Sequence, residues 1–248
     1  MTDHTAPTEL WLVRHGESVA NVAAAAAERA GHDRIVVDFR DADVPLSALG
    51  EQQAEALGTW LAEHSAANPP PAVWVSPYLR ARQTVSIALD RAGQSATPRV
   101  DERLRDRELG ILDLLTSRGV DALLPDEAAR RRWLGKFYYR PPGGESWADV
   151  ALRVRSVLHD IDSARGPILI AAHDAVVMVF IYVCLGLTEA DLAEFALTHT
   201  VSNASVTKLV RAPGSTEWML DLFSHDEHLE ASGVTVTEHS GDTHDDVH

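Results

Sequence analysis

The sequence predicts an α/β protein: a three-layer α/β/α sandwich with a mostly parallel central sheet and an inserted helical lid. Three observations carry this. Short apolar runs alternate with amphipathic stretches over most of the 248 residues, the pattern of a parallel sheet covered on both faces. Three of those runs end in polar residues: Arg14-His15, Ser76-Pro77 and His173-Asp174. Residues 111–144 break the alternation, as an insertion does.

The elements follow in order. Glu9 to Arg14 (ELWLVR) is rich in strand formers and stops at His15-Gly16, so it reads as a strand feeding a loop. Glu17 to Arg29 is alanine-rich and helical. Ser47 is placed to N-cap the amphipathic stretch SALGEQQAEALGTWLAEH. Prolines 69–71 break the chain, Ala72 to Ser76 is a second buried strand, and Tyr78 to Ala92 is helical. Residues 111–144 hold Arg130, Arg131, Arg132 and Lys136 with Trp133, Phe137, Tyr138 and Tyr139 between them, and close with PPGG. This is the expected lid, its arginines read as a solvated face or as partners for a second anionic group. Ser146 and Asp149 form a capping box for the next helix. Gly166 to His173 is a third strand. Ala175 to Leu185 is apolar almost all round, so it is either deeply buried or part of an interface, which leaves a homo-oligomer open. Ser205 to Arg211 and Glu217 to Phe223 read as final strands. The expected domain is 1–224. Residues 225–248 are acidic, rich in histidine and poor in large apolar side chains, the composition of a disordered tail with solvated histidines.

Composition excludes several classes. A net charge of −15 argues against nucleic acid as a partner. The run VFIYVCLGL is too short to span a bilayer, so no membrane is expected. The N-terminus lacks the pattern of a signal peptide, and the single cysteine permits no internal disulfide. The expected setting is cytoplasmic.

In open α/β sheets, ligands bind beyond the carboxyl ends of the strands, which brings the three polar tips together. Four stretches then stand out: Arg14-His15-Gly16-Glu17-Ser18 with Asn21 after it, Ser76 to Thr84 (SPYLRARQT), Arg103 to Gly110 (RLRDRELG), and Ala172-His173-Asp174. Together they resemble the histidine phosphatase superfamily (phosphoglycerate-mutase-like, branch 1), over roughly residues 9–223. Asp43 to Ala54 is similar to a family helix start, and RPPGGES is similar to broad phosphatases.

The resemblance implies a small phosphorylated substrate and no cofactor or metal. His15 is then the nucleophile. Arg14 and Arg80 grip non-bridging oxygens through their guanidinium forks, and a protonated His173 adds a third positive group, so a phosphate dianion is offset without a metal ion. His15 must be neutral at its attacking nitrogen, with a backbone carbonyl fixing the other. Gly16 lets the backbone approach the phosphate, and Asn21 is a candidate donor to it. The family places a Glu four residues before a Gly as proton donor. Here that position is Asp106, one methylene shorter, with Glu108 two residues on and Asp174 a third candidate. Burial would keep such a donor protonated and the arginines oppose this, so acidic pH is favoured. A phosphoglycerate-type mutase is the alternative, and a non-catalytic phosphoryl- or protein-binding module a further one.

Overall fold

The computed structural model describes residues 7–65, 72–162 and 166–238. Its first half contains β1 (Glu9–Arg14), α1 (Val19–Ala30), α2 (Ala48–His64), β2 (Ala72–Val75), α3 (Leu79–Arg91) and β3 (Arg99–Val100). Then come α4 (Ser117–Leu123), α5 (Pro125–Tyr138), α6 (Trp147–Ile161), β4 (Ile168–Ala172), α7 (Asp174–Leu185), α8 (Glu189–Thr198), β5 (Val206–Val210), β6 (Met219–His225) and α9 (Glu227–Ala231).

The strands lie in the order β3-β2-β4-β1-β5-β6. The first four are mutually parallel, while β5 runs antiparallel to β1 and β6 antiparallel to β5. Alternation along the central strands makes the three layers. Leu10 and Leu12 of β1, with Ile168 and Ile170 of β4, pack into one core with α6 and α7. Trp11 and Val13, with Leu169 and Ala171, pack into the other with α2 and α3. Helix α7 is buried through residues 176–181 in the first core, which accounts for its unbroken apolar surface. No helix among the described residues is long and apolar enough to cross a membrane.

The helix starts follow from local chemistry. Ser18 with Asn21, Ser146 with Asp149 and Thr188 with Asp191 each form a reciprocal capping box, and Ser47 accepts from the Gly50 amide. Each cap contributes about 1 kcal/mol. Helix α8 has no counterpart in the sequence reading because Leu192 is its one buried residue, too few for a periodic signal.

Residues 111–144 form α4 and α5 around a small core of Leu112, Val120, Ala128 and Tyr139. They are stitched to the loop after α1: the Ile35 amide donates to the Leu114 carbonyl (2.9 Å) and the Thr116 amide to that of Asp33 (3.2 Å).

The expectation of a disordered tail from residue 225 is corrected as far as residue 238. Strand β6 runs to His225, α9 follows, and Leu229, Val234 and Val236 pack on Ala56 and Ala204. Few apolar residues suffice because polar anchors share the task. Gln53 donates to the Thr235 carbonyl (3.0 Å) and to Thr237 Oγ1 (2.9 Å), and the Asn203 amide donates to the Thr237 carbonyl (2.9 Å). His228 is buried rather than solvated. Residues 239–248 lie outside the described residues.

His228 makes this docking pH-dependent. Burial lowers its pKa to about 4, against the bond in which its Nε2–H donates to the Ala204 carbonyl. An unfolded histidine titrates near about 6.5. The neutral folded form is therefore fully stabilising above that value and loses up to about 3 kcal/mol as pH falls from 6.5 to 4. Melting temperature should drop through this window in the wild type. His228→Leu should melt lower at pH 7 but with a shallower acid slope. Parallel slopes would place the loss elsewhere.

Candidate active site

Strands β2, β4 and β1 are neighbours at the sheet centre, so their carboxyl ends deliver Ser76, His173 and Arg14-His15 to one place. The backbones leave the sheet in register: the His15 amide donates to the Ala172 carbonyl (3.1 Å) and the Ser76 amide to that of Ala171 (3.0 Å). Gly16 is needed for a close approach, since a Cβ there would sit 2.6 Å from the Gly50 carbonyl oxygen. The Gly16 amide donates to Thr84 Oγ1 (3.0 Å), and Asn203 Nδ2 donates to the His15 carbonyl (3.0 Å). The tail reaches this loop as well, because Thr237 donates to Asn203 Oδ1 (3.1 Å) and Gln53 accepts from the Glu17 amide (2.8 Å).

His15 is 3% exposed. Its pKa is held well below the ordinary value, by burial first and then by Arg80, His173 and Arg14. The neutral ring donates Nδ1–H to the Gly16 carbonyl (2.7 Å) and accepts the Arg80 Nε–H at Nε2 (3.2 Å). That tautomer leaves the lone pair on Nε2, the atom a nucleophile needs.

Arg80 sits at the centre of the polar cluster. Its Nη1 donates to the Asp41 carbonyl (2.6 Å) and to Asp41 Oδ1 (2.9 Å), and its Nη2 to Asp106 Oδ2 (3.1 Å). The guanidinium also lies 4.9 Å from the centre of the Tyr78 ring. Arg14 is buried and donates from Nη1 to the Val201 carbonyl. His173 Nε2 meets Ser76 Oγ at 2.8 Å. Its Nδ1 stands 3.2 Å from Asp106 Oδ2, an ion-pair distance without hydrogen-bond alignment. Burial lowers the His173 pKa against the opposing pull of Asp106. The His15 and His173 rings meet edge to face at 5.2 Å.

The carboxylates differ in setting. Burial raises Asp106, but His173, Arg80 and His15 overcome it and hold the group well below the carboxylate range. Asp41 goes the other way: burial, then Asp106 and Asp113, lift it to about 6 against Arg80. Its side chain is still 42% open to the cavity. Glu108 lies further out, accepting from the Tyr78 hydroxyl (3.0 Å) with a side chain 47% exposed. Asp174 opens α7 at the cavity wall. Asn21 also lines the cavity, and its Oδ1 accepts from the Ser18 amide (3.0 Å) to cap α1. Of the three lid arginines, Arg131 alone is buried and lines the cavity; Arg130 and Arg132 are exposed.

Sequence reasoning missed Asp41, Ser76, Tyr78, Thr84 and Asn203 as members of this cluster. Ser76, Tyr78 and Thr84 lie within the stretch SPYLRARQT, where only the arginine was given a task. Asp41 sits in an ordinary acidic run and carries no local signal. Among the described residues no group of three or more His, Cys, Asp or Glu is arranged to hold a metal ion.

Comparison with known proteins shows what the chain is similar to. The chain is 31% identical over 201 residues to a glucosyl-3-phosphoglycerate phosphatase of Mycolicibacterium vanbaalenii, covering 73% of this chain and 84% of that one. It is 30% identical to a 2,3-bisphosphoglycerate-dependent phosphoglycerate mutase of Methylobacterium radiotolerans, covering 76% and 84%. It also matches a 6-phosphofructo-2-kinase/fructose-2,6-bisphosphatase of Arabidopsis thaliana at 28% identity, but spans 21% of that protein's length. A solved mycobacterial glucosyl-3-phosphoglycerate phosphatase superposes with a TM-score of 0.69 at 26% identity, over 88% of this chain and 99% of that one. The family match runs over residues 10–222, and the chain belongs to the histidine phosphatase superfamily (branch 1).

Proposed function

We propose that the protein is a phosphohydrolase that cleaves phosphate monoesters through a phosphohistidine on His15. The observation that carries this is the neutral, buried His15, its Nε2 directed at Arg80 with Arg14 and His173 alongside. Asp106 starts ionised; a phosphate dianion entering between these groups draws Arg80 off both Nε2 and Asp106, and Asp106 then takes up a proton from solvent. The His15 lone pair attacks phosphorus, the ester P–O bond breaks, and the leaving oxygen takes a proton from Asp106. Water then attacks phosphorus, the P–N bond breaks, and a proton returns to Asp106 as orthophosphate leaves. Splitting the reaction this way replaces one hard step with two easier ones. Arg14 and Arg80 supply fixed positive charge, and His173, whose pKa burial lowers, joins them as the phosphate's negative charge draws a proton onto it, with no metal ion in the scheme. Residues 111–144 act as a lid over the cavity, and the setting is cytoplasmic.

Rapid alkali quench of the enzyme with a labelled aryl phosphate and chelator tests the scheme. It should trap an alkali-stable, acid-labile phosphoenzyme at the rate of turnover. Phosphate release with no trappable intermediate would point to direct attack by water.

Proton donation is tested through the leaving group. Asp106→Asn should lose about a hundredfold or more on alkyl phosphates but far less on a nitrophenyl ester, whose leaving group needs no proton. Glu108→Gln should show no such split; if it does, the donor is Glu108. A phosphoglycerate mutase is the second reading, supported by the Methylobacterium radiotolerans relative. A phosphorylated three-carbon acid yields an isomer under that reading and free orthophosphate under this one.

A further inference from the structure

Beyond the phosphate-binding groups, the site opens into a cavity of about 750 Å³, far more than a phosphoryl group occupies. One part of its lining is built from two apolar strips. Ile35 and Val37 are half-buried and line the cavity together with Phe39, while Val36 between the first two is 82% exposed. The second strip is Leu112, Leu115 and Val120. The strips are held together, since Ile35 and Leu114 share a backbone hydrogen bond and Arg34 bridges to Leu115. This is a fixed wall, anchored on the buried Leu112 and Val120, rather than a chance patch. Phe39 is 47% exposed on it. A persistent apolar surface continuous with a catalytic centre marks a ligand contact.

We propose that this wall is a specificity subsite for an apolar leaving alcohol. The preferred substrates would then be phosphate monoesters of alkyl or aryl alcohols. The proposal rests on the phosphohydrolase reading for its chemistry, although binding tests it separately. It separates this chain from a preference for phosphorylated sugar acids, whose hydroxyl groups would leave Ile35, Val37 and Phe39 facing polar atoms. Arg131 and Lys136 of α5 also line the cavity and are the groups a second anion would meet, so such a compound belongs in the test.

The probes are n-alkylphosphonates from ethyl to hexyl, titrated calorimetrically, with 3-phosphoglycerate as the competing class. Their shared head group reads the phosphate site and their length reads the wall. Dissociation constants should fall about threefold to fourfold per methylene as chain is buried. Phe39→Ala should flatten that series, lowering the hexyl-to-ethyl affinity ratio several-fold. A length-independent series, or tighter binding of 3-phosphoglycerate than of hexylphosphonate, overturns the subsite. The matching alkyl phosphates, whose alcohols are nearly equal in acidity, should show the same trend in kcat/KM. Length-dependent phosphonate binding without phosphate release from any ester would support the subsite and sink the hydrolytic reading alone.

Discussion

Replacing His15 by alanine lowers metal-free phosphate release by about four orders of magnitude or more and leaves no phosphoenzyme to trap. The size of the loss follows from how the residue is held. The Gly16 carbonyl accepts the Nδ1–H bond, and burial, with Arg80 and Arg14 beside it, keeps the ring unprotonated. Nε2 is therefore an unprotonated nucleophile near neutral pH once a phosphate has drawn Arg80 off it. Nothing else in the cluster can replace it. His173 Nε2 is engaged by Ser76, and its Nδ1 faces Asp106. The truncation leaves the Gly16 carbonyl without its side-chain partner, so some loss of stability accompanies it. Two controls separate the effects: melting temperature and ethylphosphonate affinity, the latter because Arg14 and Arg80 remain. Activity within tenfold of the wild type, with a normal melting temperature, would sink the phosphohistidine route.

How far the sequence reveals this site depends on how each residue earns its position. His15 and His173 are legible because each ends a buried strand, where side chains are fixed by backbone register. Arg80 is legible because SPYLRARQT resembles the family's second phosphate-binding stretch, with Arg80 at its arginine position. The carbonyl fixing His15 was expected as a type of group, and it is Gly16. Asp41 is different. It reaches Arg80 from a short helical turn, Asp41–Asp43, after a loop whose path no period in the sequence encodes. Asn203 is similar: it holds the nucleophile's carbonyl from a turn before β5. The tail was misread for a related reason. Composition averages over a segment, whereas docking needs only Leu229, Val234 and Val236 at the right spots plus partners from Gln53 and Asn203.

Arg80→Ala should cost about a thousandfold in kcat/KM, with most of the deficit persisting in Arg80→Lys. Lysine restores the charge but not the fork. That fork bonds simultaneously to Asp41, Asp106 and Nε2 of His15, and a phosphate must take it over. The takeover gives the reaction its pH dependence. Asp41 has a raised pKa, about 6, lifted by burial and then by Asp106 and Asp113. Below that pH it is protonated and releases Arg80 easily; above it, an ionised Asp41 competes with the phosphate for Nη1. In the wild type, kcat/KM should therefore fall as pH rises through about 6, mainly through KM. Asp41→Asn should remove this fall while Arg80 still serves the phosphate. In Arg80→Ala the opposing charge is gone, so both carboxylates hold their protons to higher pH and the residual activity should show no break near 6. A break that survives in Asp41→Asn would assign it to another group, with the substrate's own second ionisation, near about 6, the next to test. If Arg80→Lys recovers most of the activity, a point charge suffices and the forked contact is not what the transition state uses.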